Sequence, residues 1–435
     1  MSDRPGLLVH NATEVATVAG GVRRGSQQAE IGIIYGDGAV AAYEGRIVAI
    51  GQLEEVERRL QEMGVAAHAV ARLDARRGVV TPGLIDPHTH MLFAGTRQAE
   101  IELRQRGHSY LGILAAGGGI LQTVRETRAA PDEVLLANAR RWSAEMLSHG
   151  VTTVEVKSGY GLSADAELRL LSLAGQLADE GPLDIVPTFL GAHAIAPEFR
   201  GRPDAAAAYM ANVIEEQLPR VAEQGIATSC DVFCERGVYD VDMSRRLLTR
   251  AKELGLQARL HADQLNPTGG AELAAEIGAL SADHLGGVSE KGIAALAGAA
   301  ESGRPTVATL LPISAFYLDE PHYAPARTMI DAGIPVAIGT DFNPGSSPAP
   351  NAQLALDFAV HRLRLTASEA IAAMTINAAA ALGLEQTHGS LDEGKHADVV
   401  VWEPDSHTLL PYWLGADLVR TVVKRGRVVY EGRPG

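Results

Sequence analysis

Cysteine is almost absent: two residues, Cys230 and Cys234, in a chain of 435. That excludes a disulfide framework and suits a reducing compartment. Excess positive charge is missing too. Lys and Arg number 38 against 53 Asp and Glu, a formal net charge of −15, with no basic tract. Nucleic acid and anionic membranes are therefore poor partners. No stretch reaches the ~18 apolar residues of a membrane span. Met1 to Leu8 carries no basic segment leading into a long apolar run. A soluble, cytoplasmic protein is the expectation. The remaining composition is that of a globular chain, 46% hydrophobic and 21% charged, long enough for an ample core.

Residues 1 to about 80 read as short strands and turns. Leu7–Val9, Ile31–Tyr35, Val40–Tyr43 and Arg46–Ile50 are β-type runs, with Gly36-Asp37-Gly38 and Glu44-Gly45 expected as hairpin turns. Leu53, Val56, Leu60 and Met63 are at helical spacing. From Gly78 to about Leu384 apolar runs alternate with amphipathic, Ala-rich segments. The runs are Val79–Asp86, Val151–Val156, Asp184–Leu190, Thr228–Phe233, Gln257–Leu260, Ala279–Asp283, Thr306–Leu310 and Pro335–Thr340. Helices are expected between most of them, Pro203–Glu223 and Tyr323–Ala332 among these, and two more follow at Asn351–Leu363 and Ala367–Leu382. Eight strand–helix repeats predict an α/β fold, a parallel (β/α)8 TIM barrel. After Leu384 the pattern returns to strands, Asp398–Val401, Leu418–Lys424 and Val428–Tyr430. The two ends are expected to pair as one small β-domain. The boundaries are 1–80, 81–384 and 385–435.

Reactive groups of such a barrel belong at the C-terminal ends of its strands. Strand one ends in Asp86-Pro87-His88-Thr89-His90, and period-two alternation puts both imidazoles on one side. Strand five ends in His261-Ala262-Asp263, strand six in Asp283-His284, and strand eight in Thr340-Asp341-Phe342-Asn343-Pro344-Gly345. Three imidazoles and a carboxylate at one mouth suit Zn²⁺ or Fe²⁺ with a position left for water. Each residue alone has a plainer role open to it, as a packed histidine or a turn-forming Asp; the case rests on their recurrence at four strand ends.

Gly83 through His90, with His261, His284 and Asp341, resembles the amidohydrolase superfamily. Four ordered motifs, His88–Arg97, Glu155–Leu162, Thr188–His193 and Thr340–Ser346, resemble its imidazolonepropionase family. The resemblance implies a barrel beside a composite β-sandwich made from both chain ends. It implies hydrolytic ring opening of 4-imidazolone-5-propanoate to N-formimidoyl-L-glutamate in histidine degradation, and a homodimer. It assigns His88, His90, His261 and Asp341 to the metal, and His284 to the neighbourhood of the reacting water. Arg97, Tyr160 and His193 are assigned to the substrate, with Asn343, Gly345 and Ser346 on a contacting loop. Gln264 stands where some members carry Glu. It can orient substrate but cannot take a proton at neutral pH. Proton transfer is then left to Asp341 and His284.

The end of strand four, Asp231-Val232-Phe233-Cys234-Glu235, has no Lys of the kind that bridges two metals in binuclear members. One divalent ion, Zn²⁺ or Fe²⁺/Fe³⁺, is expected. The even spacing of Cys230 and Cys234 predicts buried packing. Gly117-Gly118-Gly119, soon after strand one, reads as a loop near the site rather than a phosphate cradle. An aromatic deaminase of the same architecture and a non-catalytic barrel scaffold are the rival readings.

Overall fold

The computed structural model describes residues 5–108, 112–113, 117–303 and 305–432. Five strands precede the barrel: β1 Gly6–Ala16, β2 Ile33–Tyr43, β3 Arg46–Gln52, β4 Val70–Asp74 and β5 Val79–Pro82. The barrel strands are β6 Leu84–Asp86, β7 Val151–Lys157, β8 Asp184–Ala192, β9 Ser229–Cys234, β10 Gln257–Ala262, β11 Ser281–His284, β12 Val307–Leu310 and β13 Val336–Ile338. Three strands follow: β14 Val399–Trp402, β15 Val419–Lys424 and β16 Arg427–Glu431. β6 to β13 form one all-parallel sheet in chain order. A parallel bridge from Thr89 to Phe342 carries the last strand back to the first. The eight parallel strands expected from the sequence are therefore present as a nearly closed barrel.

Both chain ends build the second sheet, in the order β16-β15-β14-β5-β1-β2-β3. β1 pairs β2 on one side and both β4 and β5 on the other, so the sheet forks there. Leu7 and Val9 of β1 join Val40, Ile47, Val80, Val399 and Val423 in one core. Leu8 points the opposite way, with Val56 and Leu60 of the helix Leu53–Glu62. This is the period of two expected for strands.

Several elements differ from their sequence patterns. Gly36-Asp37-Gly38 is no hairpin turn; it lies inside β2, where the register with β1 slips between Ala12 and Glu14, and glycine suits a bulge as well as a turn. Val79–Asp86 is not one strand. β5 belongs to the second sheet and β6 to the barrel, with Gly83 between them. A Cβ on Gly83 would overlap the Thr152 side chain, so only glycine lets the chain cross at that point. The segment 203–223 contains a π-helical turn, Val213–Gln217, between two α-helices. The helix expected over 367–382 breaks at Met374-Thr375 into Ala367–Ala373 and Ile376–Ala381. Pro312–Tyr317 is an additional short helix.

That break has a use. Ala378, Ala379 and Ala381 of the second piece pack with Ile85, Val186, Val307 and Ala337, closing the N-terminal end of the barrel. Small side chains let the helix sit close beneath the strands. The opposite end stays open. Among the described residues no helix is long and apolar enough to cross a membrane.

Candidate active site

Strand pairing assembles the site. The Asp341 amide donates to the His88 carbonyl (3.1 Å) and the His90 amide to the Phe342 carbonyl (2.8 Å). These two bonds set the His88-Thr89-His90 segment against Asp341 across the barrel seam. Beneath them, Asp86 accepts from the Thr340 amide (3.1 Å) and hydroxyl (2.5 Å). On β10, Ala258, Leu260 and Ala262 pack toward the helices. Arg259 and His261 occupy the alternate, inward positions. His284 would by alternation share the outward face of Ala282. Its φ of +76° turns the chain at that point, and its ring lies 5.4 Å from that of His88. Asp341 also has a positive φ, +54°. Such backbone costs about 1–3 kcal/mol per residue and concentrates at functional sites.

Four ligand-type atoms meet. The Nε2 atoms of His90 and His261 are 3.4 Å apart. Asp341 Oδ1 is 3.6 Å from His88 Nε2 and 3.5 Å from His90 Nε2. Ligands held at roughly 2.1 Å around a tetrahedral ion are separated by about 3.4 Å. His88 Nε2 is buried with no hydrogen-bond partner, a cost expected only where something else engages it. The donor set therefore fits a divalent ion.

The far side of two of the three rings is fixed, whereas His90 Nδ1 is buried without a hydrogen-bond partner. His88 Nδ1 donates to Asp283 (2.7 Å) and His261 Nδ1 to Asp231 (3.1 Å). Both bonds leave Nε2 free to face the ion, as in many metal sites. Sequence reading gave no role to either aspartate. The available signal was their inward register on β9 and β11. Burial, then Lys157 and the neighbouring rings, holds His88 well below the usual histidine range. Burial and His193 do the same for His90, and burial and His261 for His284. Burial pushes the carboxyls of Asp341 and Asp86 up to about 7.

Above these atoms lies an open cavity whose wall includes Arg97, Tyr160, His193, Gln264, Asn343 and Ser346. Every one of these is a residue singled out from the sequence. Arg97 is 5% exposed, and its Nε has no hydrogen-bond partner. Glu100, 3.7 Å from that Nε, also accepts from the Gly119 amide, which ties the glycine loop to the site. His193 donates through Nδ1 to the Gly159 carbonyl (3.1 Å) and stacks on His90 at 4.7 Å. Burial and His261 lower it to about 3, so it is a neutral ring. Glu167, which the sequence did not flag, gathers the amides of Gly159, Gly161 and Leu162 and so shapes the loop carrying Tyr160.

Asn343 lines the cavity, yet its amide serves the loop. Its oxygen accepts from the Gly345 and Ser346 amides, and its nitrogen donates to the Asp341 carbonyl and Ser346 hydroxyl. Gly345 lies against the Arg97 guanidinium. Cys230 and Cys234 are buried free thiols away from the cavity wall.

Residues 79–429 match a model of the amidohydrolase family. The imidazolonepropionase of Symbiobacterium thermophilum is 48% identical over 426 residues, 98% of this chain and 97% of that protein. That of Bacillus velezensis is 44% identical over 423 residues, 97% and 96% of the two chains. Among solved structures, 5-methylcytosine deaminase from Klebsiella pneumoniae superposes with a TM-score of 0.71 at 16% identity, over 98% of this chain and 99% of that one. E. coli guanine deaminase gives 0.71 at 17%, over the same shares. At such identities the structures speak for the fold alone.

Proposed function

The chain belongs to the amidohydrolase family and, within it, to the imidazolonepropionases, and from that premise we propose the reaction and the part each residue takes. It opens the ring of 4-imidazolone-5-propanoate by hydrolysis, giving N-formimidoyl-L-glutamate, a step of histidine degradation. One observation supports this most: four ligand-type atoms converge on the floor of a cavity whose wall carries a buried, incompletely bonded arginine.

His88, His90, His261 and Asp341 would hold a single ion, Zn²⁺ or Fe²⁺/Fe³⁺. When bound, such an ion polarises a carbonyl and makes water acidic enough to attack near neutral pH. The protein supplies the rest. Arg97 offers a planar, two-pronged donor to the propanoate. A neutral substrate such as a nucleobase has no use for that cation, which weighs against a deaminase. His193, its Nδ1 hydrogen spent on Gly159, presents Nε2 as an acceptor for a ring N–H, and Tyr160 confines the ring beside it. Gln264 can donate and accept, so it orients the ring without taking a proton. Asp341 takes the proton of the attacking water and returns it to the departing ring nitrogen. His284 stands beside it to hold the water or the developing negative oxygen. The working protein is a cytoplasmic homodimer.

The test is loss of absorbance of freshly made 4-imidazolone-5-propanoate, with the product identified by mass. Turnover at about one ion per chain is expected. Ammonia release from cytosine or guanine without ring opening would transfer the protein to the deaminases. A metal-free, inactive protein that gains nothing from Zn²⁺ or Fe²⁺ would make it a scaffold.

A further inference from the structure

β7 carries two charged residues into the barrel axis, Glu155 and Lys157, where apolar side chains would fill the space at less cost. Both are fully buried. The Lys157 ammonium is 2.7 Å from Glu155, 2.9 Å from Asp231 and 4.0 Å from Asp283. Asp231 and Asp283 are the two carboxylates that fix the rings of His261 and His88. Arg259 reaches Asp283 at 3.4 Å through Nη2, which donates at 2.6 Å to the Pro87 carbonyl, while Nη1 donates to the Ala381 carbonyl and Nε has no hydrogen-bond partner. Lys157 is thus the cation that touches Asp231 and stands nearest to joining both carboxylates. His88, Asp231 and Asp283 would themselves make a three-ligand cation site directly beneath the first. The ammonium stands among them.

We propose that Lys157 is a positioning residue for the metal centre: bound to Glu155 and Asp231, it locks the carboxylates that aim the Nε2 atoms of His261 and His88, and it fills the space a second ion would need. It touches neither substrate nor reacting atoms. A buried carboxylate with its cation removed leans on the donors that remain: for Asp231 the His261 ring and the Val232 and His261 amides, for Asp283 the His88 ring and Arg259. The rings would then lose their fixed aim. Loss of such an orienting contact typically weakens metal affinity 10- to 100-fold.

The proposal rests on the metal-ligand reading above, and its test separates the two. In the purified full-length protein, the Zn²⁺ dissociation constant is measured by chelator competition for wild type and Lys157→Met. The expected result is a constant raised roughly 10- to 100-fold, an altered visible spectrum of the Co²⁺-substituted protein, and an unchanged KM at saturating metal. Equal affinity and an identical Co²⁺ spectrum, with only a lower Tm, would make Lys157 purely structural and overturn the proposal. Should Lys157→Met not fold, Glu155→Gln removes one anchor of the ammonium and keeps the shape. It is expected to shift the metal constant in the same direction by less, and an unshifted constant overturns the proposal equally. A wild-type protein that binds no ion would instead defeat the metal-ligand reading itself.

Discussion

The guanidinium of Arg97 occupies the space that a side chain on Gly345 would need. Glycine at 345 is therefore a condition for Arg97 to reach the cavity. A charge-assisted hydrogen bond is worth about 1.5–3 kcal/mol, or roughly 10- to 100-fold. Gly345→Ala should raise KM by about that factor with kcat little changed, and Arg97→Ala should match it. Steady-state kinetics on both variants checks this; an unchanged KM removes Arg97 from the substrate carboxylate.

His261→Ala removes one of the proposed ligands and leaves Asp231 without the ring it orients. Metal analysis after gel filtration should find the ion gone. Added Zn²⁺, which should raise the Tm of the wild type, should leave that of the variant unmoved. Retention of a full equivalent would take His261 out of the ligand set.

Asp341 and Asp86 are carboxyls raised to about 7 by burial, from about 3.8 when unfolded. The sign follows from proton counting. Between those values the folded, metal-free protein holds protons that the unfolded chain has released, so its stability falls as pH rises from about 4 through 7. An ion at Asp341 competes with that proton and favours the carboxylate. The Tm gap between metal-loaded and metal-free protein should therefore widen from pH 5 to pH 8, as scanning calorimetry would record. A constant gap would contradict the burial of Asp341.

Gln264→Glu introduces a titratable group beside His284 without changing the side chain's size. The pH profile of kcat/KM should gain an ionisation absent from the wild type, while metal content stays the same. Superimposable profiles would mean that position 264 does not face the reacting atoms.

Lys424 joins Asp184, at the start of β8, to Asp398 beside β14, at 2.7 and 2.6 Å. It clamps the second sheet to the floor of the barrel. Lys424→Met should cost about 1–3 kcal/mol in denaturant unfolding, since it leaves a mostly buried carboxylate unpaired. Activity at low temperature should persist, because the clamp is at the end of the barrel opposite the cavity.

The barrel was legible because its strands are buried runs separated by amphipathic helices, a contrast that survives without coordinates. The candidate ligands could be named because His88 and His90 share a strand face and Asp341 ends another, and the structure brings these side chains together. Residues that act at a distance were not. Asp231 and Asp283 look like ordinary strand-end acids until the barrel brings them under His261 and His88. Glu167 gathers three amides only after its helix docks. Gly36-Asp37-Gly38 misled because glycine serves a bulge and a turn alike, and Gly83 because a change of sheet leaves the hydrophobic run unbroken.

The fork in the second sheet bears on how the chain comes to be folded. β5 is made early, but its partner β14 lies beyond the whole barrel, so one flank of β5 must wait bare while all eight barrel strands emerge. An unpaired hydrophobic flank is an invitation to strangers. The interval before Val399–Trp402 arrives is when a newborn chain is most exposed to clumping, and slower synthesis through the barrel would lengthen it.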